Sequence, residues 1–121
     1  MTQMTVIVEF ETLEGAEPEF TRLISDHARR SLTEEEGCLR FEVIKPLDKD
    51  GRAQPNAIIV NELYADQAAL DAHNASPRMK PLGAALAPLL KSSRLLVAKS
   101  LNDRPADDGL TPEELNAAND G

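Results

Sequence analysis

The order of strand and helix patterns along the chain constrains its fold more than any other feature. Segments 5–11, 39–43, 57–64 and 94–101 are rich in β-branched residues or alternate between apolar and polar residues, which predicts strands. Helical spacing follows Pro18, and helix start signals occur at Asp66 and Ser76. The order β, α, β, β, α, β is the split βαβ arrangement. We therefore predict an α+β fold, with a four-stranded antiparallel sheet and the helices on one face.

The helices are predicted from the spacing of their apolar residues. In the first, from Pro18 to about Leu32, apolar residues three and four apart form one stripe: Phe20, Leu23, Ile24, Ala28 and Leu32. After a short helix from Asp66 through His73, a second stripe comprises Leu82, Leu86, Leu89 and Leu90. Pro81 and Pro88 should shorten or kink that segment. Residues 46–56 have no apolar period and predict a loop.

The predicted strands carry large apolar residues on both faces. Adjacent pairs such as Ile58 and Ile59, or Leu95 and Leu96, place one side chain on each face of the sheet. The helices can cover one face, and the other would be too large an apolar patch for a soluble monomer. We expect a homodimer in which the second faces pack together.

Charge and length divide the chain into a domain and a tail. The 121 residues suit one domain, which we assign to residues 1–101. Residues 102–121 contain six acidic side chains and one basic side chain, and we expect an acidic tail with a short helix at 111–118. The net charge of -8 disfavours binding to nucleic acid or to an anionic membrane.

A single cysteine, Cys38, excludes an internal disulfide and a multi-thiolate zinc site. With no signal-like or membrane-length apolar segment, this composition predicts a cytoplasmic protein. The sequence contains no glycine-rich phosphate loop, and the two histidines lie too far apart to indicate a metal site. We therefore expect no metal and no cofactor.

Two histidines are candidate general bases. His27 lies on the sheet-facing stripe of the first helix, and a neutral imidazole there could accept a proton from a phenol or an enediol. The alternative is a buried histidine bonded to a backbone carbonyl. His73 follows Leu70 by three residues on the second helical segment. His73 either takes part in catalysis or has a structural role, as a helix cap or an inter-helix bond near Ser76.

Strand three supplies further candidates. Glu62 and Tyr64 share one face, and Asn61 lies on the other. A carboxylate in an apolar strand needs a partner, for which we consider Arg40, Lys99 or the second subunit. Glu62 is then either an ion pair at the dimer interface or a catalytic carboxylate, and Tyr64 either orients a substrate or packs at that interface.

Two other features receive structural interpretations. Cys38 is expected to be a small buried side chain, since a reactive thiolate needs a neighbouring cation. The run Glu34-Glu35-Glu36 is most simply a solvated surface.

Two segments resemble the antibiotic biosynthesis monooxygenase family of dimeric α+β barrels: the run Glu36-Gly37-Cys38-Leu39 and the pattern Glu-x-Tyr-x-Asp-x-x-Ala-x-x-x-His from Glu62 to His73. The resemblance implies a ferredoxin-like fold, a dimer and a pocket between helices and sheet. Family members include cofactor-independent quinol and anthrone-type monooxygenases, and relatives that process phosphorylated autoinducer-2 derivatives. A haem-degrading branch uses a first-strand Asn and a Trp, both of which this chain lacks, so haem oxygenation is disfavoured.

The function we predict first is oxidation of a small quinol, or another electron-rich aromatic, by dioxygen without a cofactor. His27, His73 and Glu62 are the catalytic candidates, and the predicted substrate-binding residues are Phe41, Tyr64, Val8 and Asn61. Two alternatives remain open. One is a non-oxidative isomerase or lyase acting on a small carbonyl compound, and the other is a non-enzymatic dimer that binds a small molecule.

Overall fold

A computed structural model describes residues 2–102 of the chain. The elements are β1 (Met4–Thr12), α1 (Glu17–Glu34), β2 (Cys38–Ile44), β3 (Ala57–Tyr64), α2 (Gln67–Asn74), α3 (Met79–Leu86) and β4 (Leu90–Lys99), with a 3₁₀ turn at Ala87–Leu89. This confirms the ferredoxin-like order, with the second helical region divided into two helices. The predicted tail and its helix at 111–118 lie outside the described residues.

The four strands form one antiparallel sheet in the order β2-β3-β1-β4. At the centre of the sheet, Val6 of β1 pairs with Glu62 of β3 on one side and with Val97 of β4 on the other. Because side chains alternate between faces, Val6 and Glu62 share one face, and both are buried. This is the face that α1, α2 and α3 cover, as predicted.

The buried stripe of α1 fixes which of its side chains reach the sheet. It comprises Phe20, Ile24, His27, Ala28 and Ser31. Phe20 packs against Phe10 of β1 with ring centroids 4.8 Å apart. The predicted position of Leu32 is wrong, since Leu32 is 45% exposed and Ser31 is buried. The next buried residue after Ala28 lies three positions further on, at Ser31, and not four positions further on, at Leu32.

The helices before β4 begin and end where local chemistry requires. The Asp66 side chain caps α2 by accepting from the Ala69 amide at 2.8 Å. Pro81 lies in the first turn of α3, where its missing N–H costs nothing, and Pro88 lies in the 3₁₀ turn that ends the segment. Leu90 therefore starts β4 and does not join a helical stripe.

The last strand begins earlier than predicted, at Leu90 in place of Arg94, and ends at Lys99. It forms one edge of the sheet, and three consecutive large apolar residues of β4 are half to two-thirds exposed: Leu95, Leu96 and Val97. The predicted apolar character of both faces is therefore present. Within residues 2–102, no helix is long and apolar enough to cross a membrane.

Candidate functional site

Three elements bring ionisable side chains to the covered face of the sheet. His27 comes from the buried stripe of α1, His73 from the last turn of α2, and Glu62 from the middle of β3. All three are at least 95% buried. Burial of this many titratable groups is costly unless they bond to one another.

These three side chains line one cavity of about 160 Å³ between the sheet and the helices, which we call the inner cavity. The rest of its wall is mainly apolar and includes Val8, Phe10, Ile24, Phe41, Val60 and Leu82. The two imidazole centroids lie 5.2 Å apart. The candidates predicted separately from helix spacing and strand alternation therefore meet in one space.

His27 is held in a single neutral form. The Arg78 guanidinium donates to His27 Nδ1 across 3.0 Å. Because arginine has no acceptor, Nδ1 is unprotonated and the ring proton lies on Nε2. Burial, with the nearby His73 and Arg78 charges, lowers the pKa of His27 from 6.5 to about 4. His27 is thus better suited to donate a hydrogen bond than to act as a base at neutral pH.

His73 is oriented by a carboxylate. Its Nδ1 lies 2.7 Å from Glu35 Oε1, and the other Glu35 oxygen accepts from Arg78. With Glu35 ionised beside Arg78, His73 Nδ1 donates and Nε2 is the free acceptor. The His73 ring thus links α2 to the end of α1, while its contact with Ser76 is made by the backbone carbonyl, which accepts from the Ser76 amide.

Sequence analysis missed Glu35 and Arg78. The interpretation of Glu34-Glu35-Glu36 as a solvated run is wrong for Glu35, whose side chain is only 17% exposed. Glu35 lies just past α1 and Arg78 just before α3, so neither belongs to a periodic apolar segment. Only the distance between the two helix ends in the folded chain identifies them as a pair.

Glu62 is bonded to its neighbour on the same strand face. The Tyr64 hydroxyl donates to Glu62 Oε1 at 2.5 Å. The partner that Glu62 has within the chain is therefore a hydroxyl and not the predicted Arg40 or Lys99. Burial raises the pKa of Glu62 from 4.5 to about 7, although the bond from Tyr64 opposes this. Burial and the adjacent carboxylate raise the pKa of Tyr64, so its hydroxyl remains the donor.

The two proton acceptors lie side by side. His73 Nε2 is 3.8 Å from Glu62 Oε1. Both atoms belong to residues that line the inner cavity, and His27 lines it from α1. A hydroxylated ligand in this cavity can therefore transfer a proton to Glu62 or His73 while His27 Nε2–H donates to a second oxygen.

The other predicted residues divide between the two sheet faces. Val8 and Phe41 line the inner cavity. Tyr64 is fully buried behind it, with its ring centroid 5.1 Å from that of His73. Asn61 lies on the opposite face, where its amide donates to Glu42 across 3.1 Å. The structure therefore brings Val8 and Phe41 to the cavity and does not bring Asn61 there.

Cys38 does not have the surroundings of a nucleophile. It is buried at the start of β2, and burial with nearby Glu35 raises the pKa of its thiol to about 12. Within residues 2–102, no three His, Cys, Asp or Glu side chains are arranged to hold a metal ion.

A second space lies outside the inner cavity. This outer groove has a volume of about 380 Å³, and it runs between α1 and α3. His27 and Leu82 line both spaces. Residues 46–56 line neither of these two spaces.

Solved structures share this fold. Rv0793 from Mycobacterium tuberculosis is 22% identical, with a TM-score of 0.71, over 84% of this chain and 97% of its own. PA3566 from Pseudomonas aeruginosa is 19% identical, with a TM-score of 0.72, over 84% and 97%. SO0527 from Shewanella oneidensis is 21% identical, with a TM-score of 0.68, over 82% and 91%. At these identities the likeness establishes the fold alone.

Among proteins of curated function, none matches this sequence. The model of one family, antibiotic biosynthesis monooxygenase, matches residues 3–82. That range extends from β1 into α3 and contains His27, Glu35, Glu62, His73 and Arg78. The chain therefore belongs to the antibiotic biosynthesis monooxygenase family.

Proposed function

We propose that this protein is a cofactor-independent monooxygenase that oxidises a small quinol or another electron-rich aromatic with dioxygen. The observation that carries the proposal is the pair of acceptors, Glu62 and His73 Nε2, on the wall of an apolar cavity large enough for one aromatic ring. A carboxyl with a pKa of about 7 is matched to proton transfer at neutral pH.

In the proposed reaction, Glu62 first removes a phenolic proton from the bound quinol. The resulting anion is electron-rich enough to reduce dioxygen, and a bond forms between a ring carbon and oxygen. Glu62 returns its proton to the outer peroxide oxygen and, as a carboxylate again, removes the hydrogen from that carbon while the O–O bond breaks. The departing hydroxide takes up this second proton and leaves as water. The ring carbon becomes a ketone, so one quinol and one dioxygen give one hydroxylated quinone and one water.

The remaining side chains position the ring and the charge. His27 Nε2–H can donate to the second oxygen of the quinol as negative charge develops there. Phe41 and Val8 form apolar walls that exclude water and favour a flat ring. Arg78 and Glu35 act through the histidines by fixing the ring nitrogen that carries each proton.

Oxygen uptake with a panel of single-ring quinols tests the reaction. We expect one dioxygen to be consumed per quinol, and a loss of about 10²-fold or more in His73→Ala and His27→Ala. The control is Glu19→Gln, which removes an exposed carboxylate of α1 that lines neither space and should keep the wild-type rate. Unchanged rates in both histidine variants would exclude this mechanism.

The same donor and acceptors suit a second reaction. A carbonyl compound whose oxygen accepts from His27 Nε2–H could lose an adjacent proton to Glu62, as in an isomerase or a lyase. Turnover under strict anaerobiosis distinguishes this reaction from the oxidation. A ligand that stabilises the protein thermally but is consumed neither with nor without oxygen would indicate a binding protein.

We also propose that the protein is a cytoplasmic homodimer. Leu96 lies opposite Ile7 in the register, and both line the sheet face that the helices leave uncovered. Leu96 is 50% exposed in the single chain. A second copy packed on this face would remove these side chains from water. Light-scattering mass should equal two chains at micromolar concentration, and a mass of one chain would contradict this proposal.

A further inference from the structure

The inner cavity limits how large a buried ring can be. Its volume is about 160 Å³. An apolar protein cavity of about 150 Å³ holds one benzene molecule. A second fused ring would have to displace a packed wall residue such as Phe41 or Leu82. The site is therefore matched to a single six-membered ring.

The outer groove offers room of a different kind. Five of the side chains that line it are apolar: Leu23 of α1, and Pro77, Pro81, Leu82 and Ala85 in or just before α3. The three charged groups that line it already have partners: Asp26 pairs with Arg29, Arg30 with Glu34, and Arg78 with Glu35. A groove with paired charges and an apolar wall favours an uncharged, apolar group.

His27 and Leu82 line both spaces, so these two side chains form a boundary that the spaces share. We propose that the substrate is a single-ring quinol carrying a flexible apolar substituent. Its ring occupies the inner cavity beside Glu62, and its substituent passes between His27 and Leu82 into the outer groove. This assignment of substrate class rests on the proposed function, because the hydroxyls are placed by the catalytic acceptor.

Anaerobic binding measures the fit without the reaction. Isothermal titration calorimetry with hydroquinone, hexylhydroquinone and 1,4-dihydroxynaphthalene distinguishes the contribution of the ring to binding affinity from that of the substituent. We expect hexylhydroquinone to bind at least tenfold more tightly than hydroquinone, and dihydroxynaphthalene at least tenfold more weakly than hydroquinone. Equal affinity for the one-ring and two-ring compounds, or no gain from the hexyl chain, would overturn the proposal.

Two matched leucine truncations separate the spaces. Leu23 lines only the outer groove, so Leu23→Ala should weaken hexylhydroquinone about tenfold and leave hydroquinone unchanged. Leu82 lines both, so Leu82→Ala should strengthen binding of dihydroxynaphthalene. If Leu82→Ala fails to fold, the Leu23→Ala comparison decides alone. Equal weakening of both quinols by Leu23→Ala would overturn the proposal.

The same experiment distinguishes the two proposals. A protein that binds hexylhydroquinone anaerobically, with the expected selectivity, but consumes no oxygen when air is admitted would support the substrate class and contradict the monooxygenase reaction. Oxygen consumption with dihydroxynaphthalene as the preferred substrate would do the reverse.

Discussion

Tyr64 donates its hydroxyl hydrogen to Glu62 across 2.5 Å, from two residues further along the same face of β3. This bond favours the charged form of Glu62 and so opposes the effect of burial on its pKa. Tyr64→Phe should therefore raise the pKa of Glu62 above about 7. The infrared carboxyl band of Glu62, identified by its loss in Glu62→Gln, measures this pKa. A pKa that stays the same or falls would show that the bond does not stabilise the carboxylate.

Ionisation of Glu62 should cost folding stability. Its pKa is 4.5 when exposed and about 7 in the folded chain, so the folded state resists ionisation. The stability that the neutral form confers is complete below pH 4.5 and is lost as the pH rises through about 7. This difference in pKa corresponds to about 3 kcal/mol.

Glu62→Gln should avoid that loss. Relative to wild type, its free energy of unfolding should increase by up to about 3 kcal/mol between pH 4.5 and pH 8. Urea titrations at several pH values measure the difference, with Glu19→Gln as the exposed control. A difference that does not change with pH would mean that Glu62 is not held neutral in the folded state.

Arg78 should control the protonation of His27. The positively charged guanidinium donates to the His27 imidazole and therefore disfavours protonation of that ring. Arg78→Ala removes that cation and leaves Glu35 without its arginine partner nearby, and both changes should raise the pKa of His27 above about 4. Titration of the His27 ring signals by NMR measures the pKa. Arg30→Ala, which removes a weaker influence on the same ring, should raise the pKa less. An equal effect of both variants would contradict the assigned role of Arg78.

The sequence predicts the fold and the positions of His27 and Glu62 because these depend on local periodicity. Alternation along β3 places Glu62 and Tyr64 on one face, and helical spacing turns His27 toward that face. The family pattern singles out His73. The spacing rule fails near the end of α1, where Ser31 and Leu32 compete for the buried position.

Local patterns do not identify the bonds between distant segments. Arg78 is 43 residues from Glu35 and 51 from His27 in sequence, and it joins both through its side chain. The apolar strand predicts a basic partner for Glu62. Burial instead favours the neutral carboxyl, and the Tyr64 hydroxyl is then enough to satisfy its hydrogen bonding. Asn61 was predicted in the site although the strand period itself places it on the other face.

Gly37 should be required for the position of α2, the helix that carries His73. A Cβ at Gly37 would collide with the Ala69 side chain. Gly37→Ala should destabilise the protein by about 1–3 kcal/mol, as overpacking does. Ala69→Gly removes the colliding atom and should recover part of the loss in the double variant. Gly83→Ala is the control, since its Cβ meets nothing within 4 Å. Denaturant unfolding compares the wild type with all four variants, and additive losses in the double variant would contradict the collision.

The pH dependence of kcat/KM for a single-ring quinol tests the central claim, that Glu62 accepts the substrate proton. In wild type, the rate constant should rise with pH through an inflection near 7, where Glu62 ionises. Glu62→Gln should be slower by about 10²- to 10⁴-fold and should lose this inflection, while Glu19→Gln keeps it. A Glu62→Gln variant with the wild-type rate and the same inflection near 7 would contradict the account.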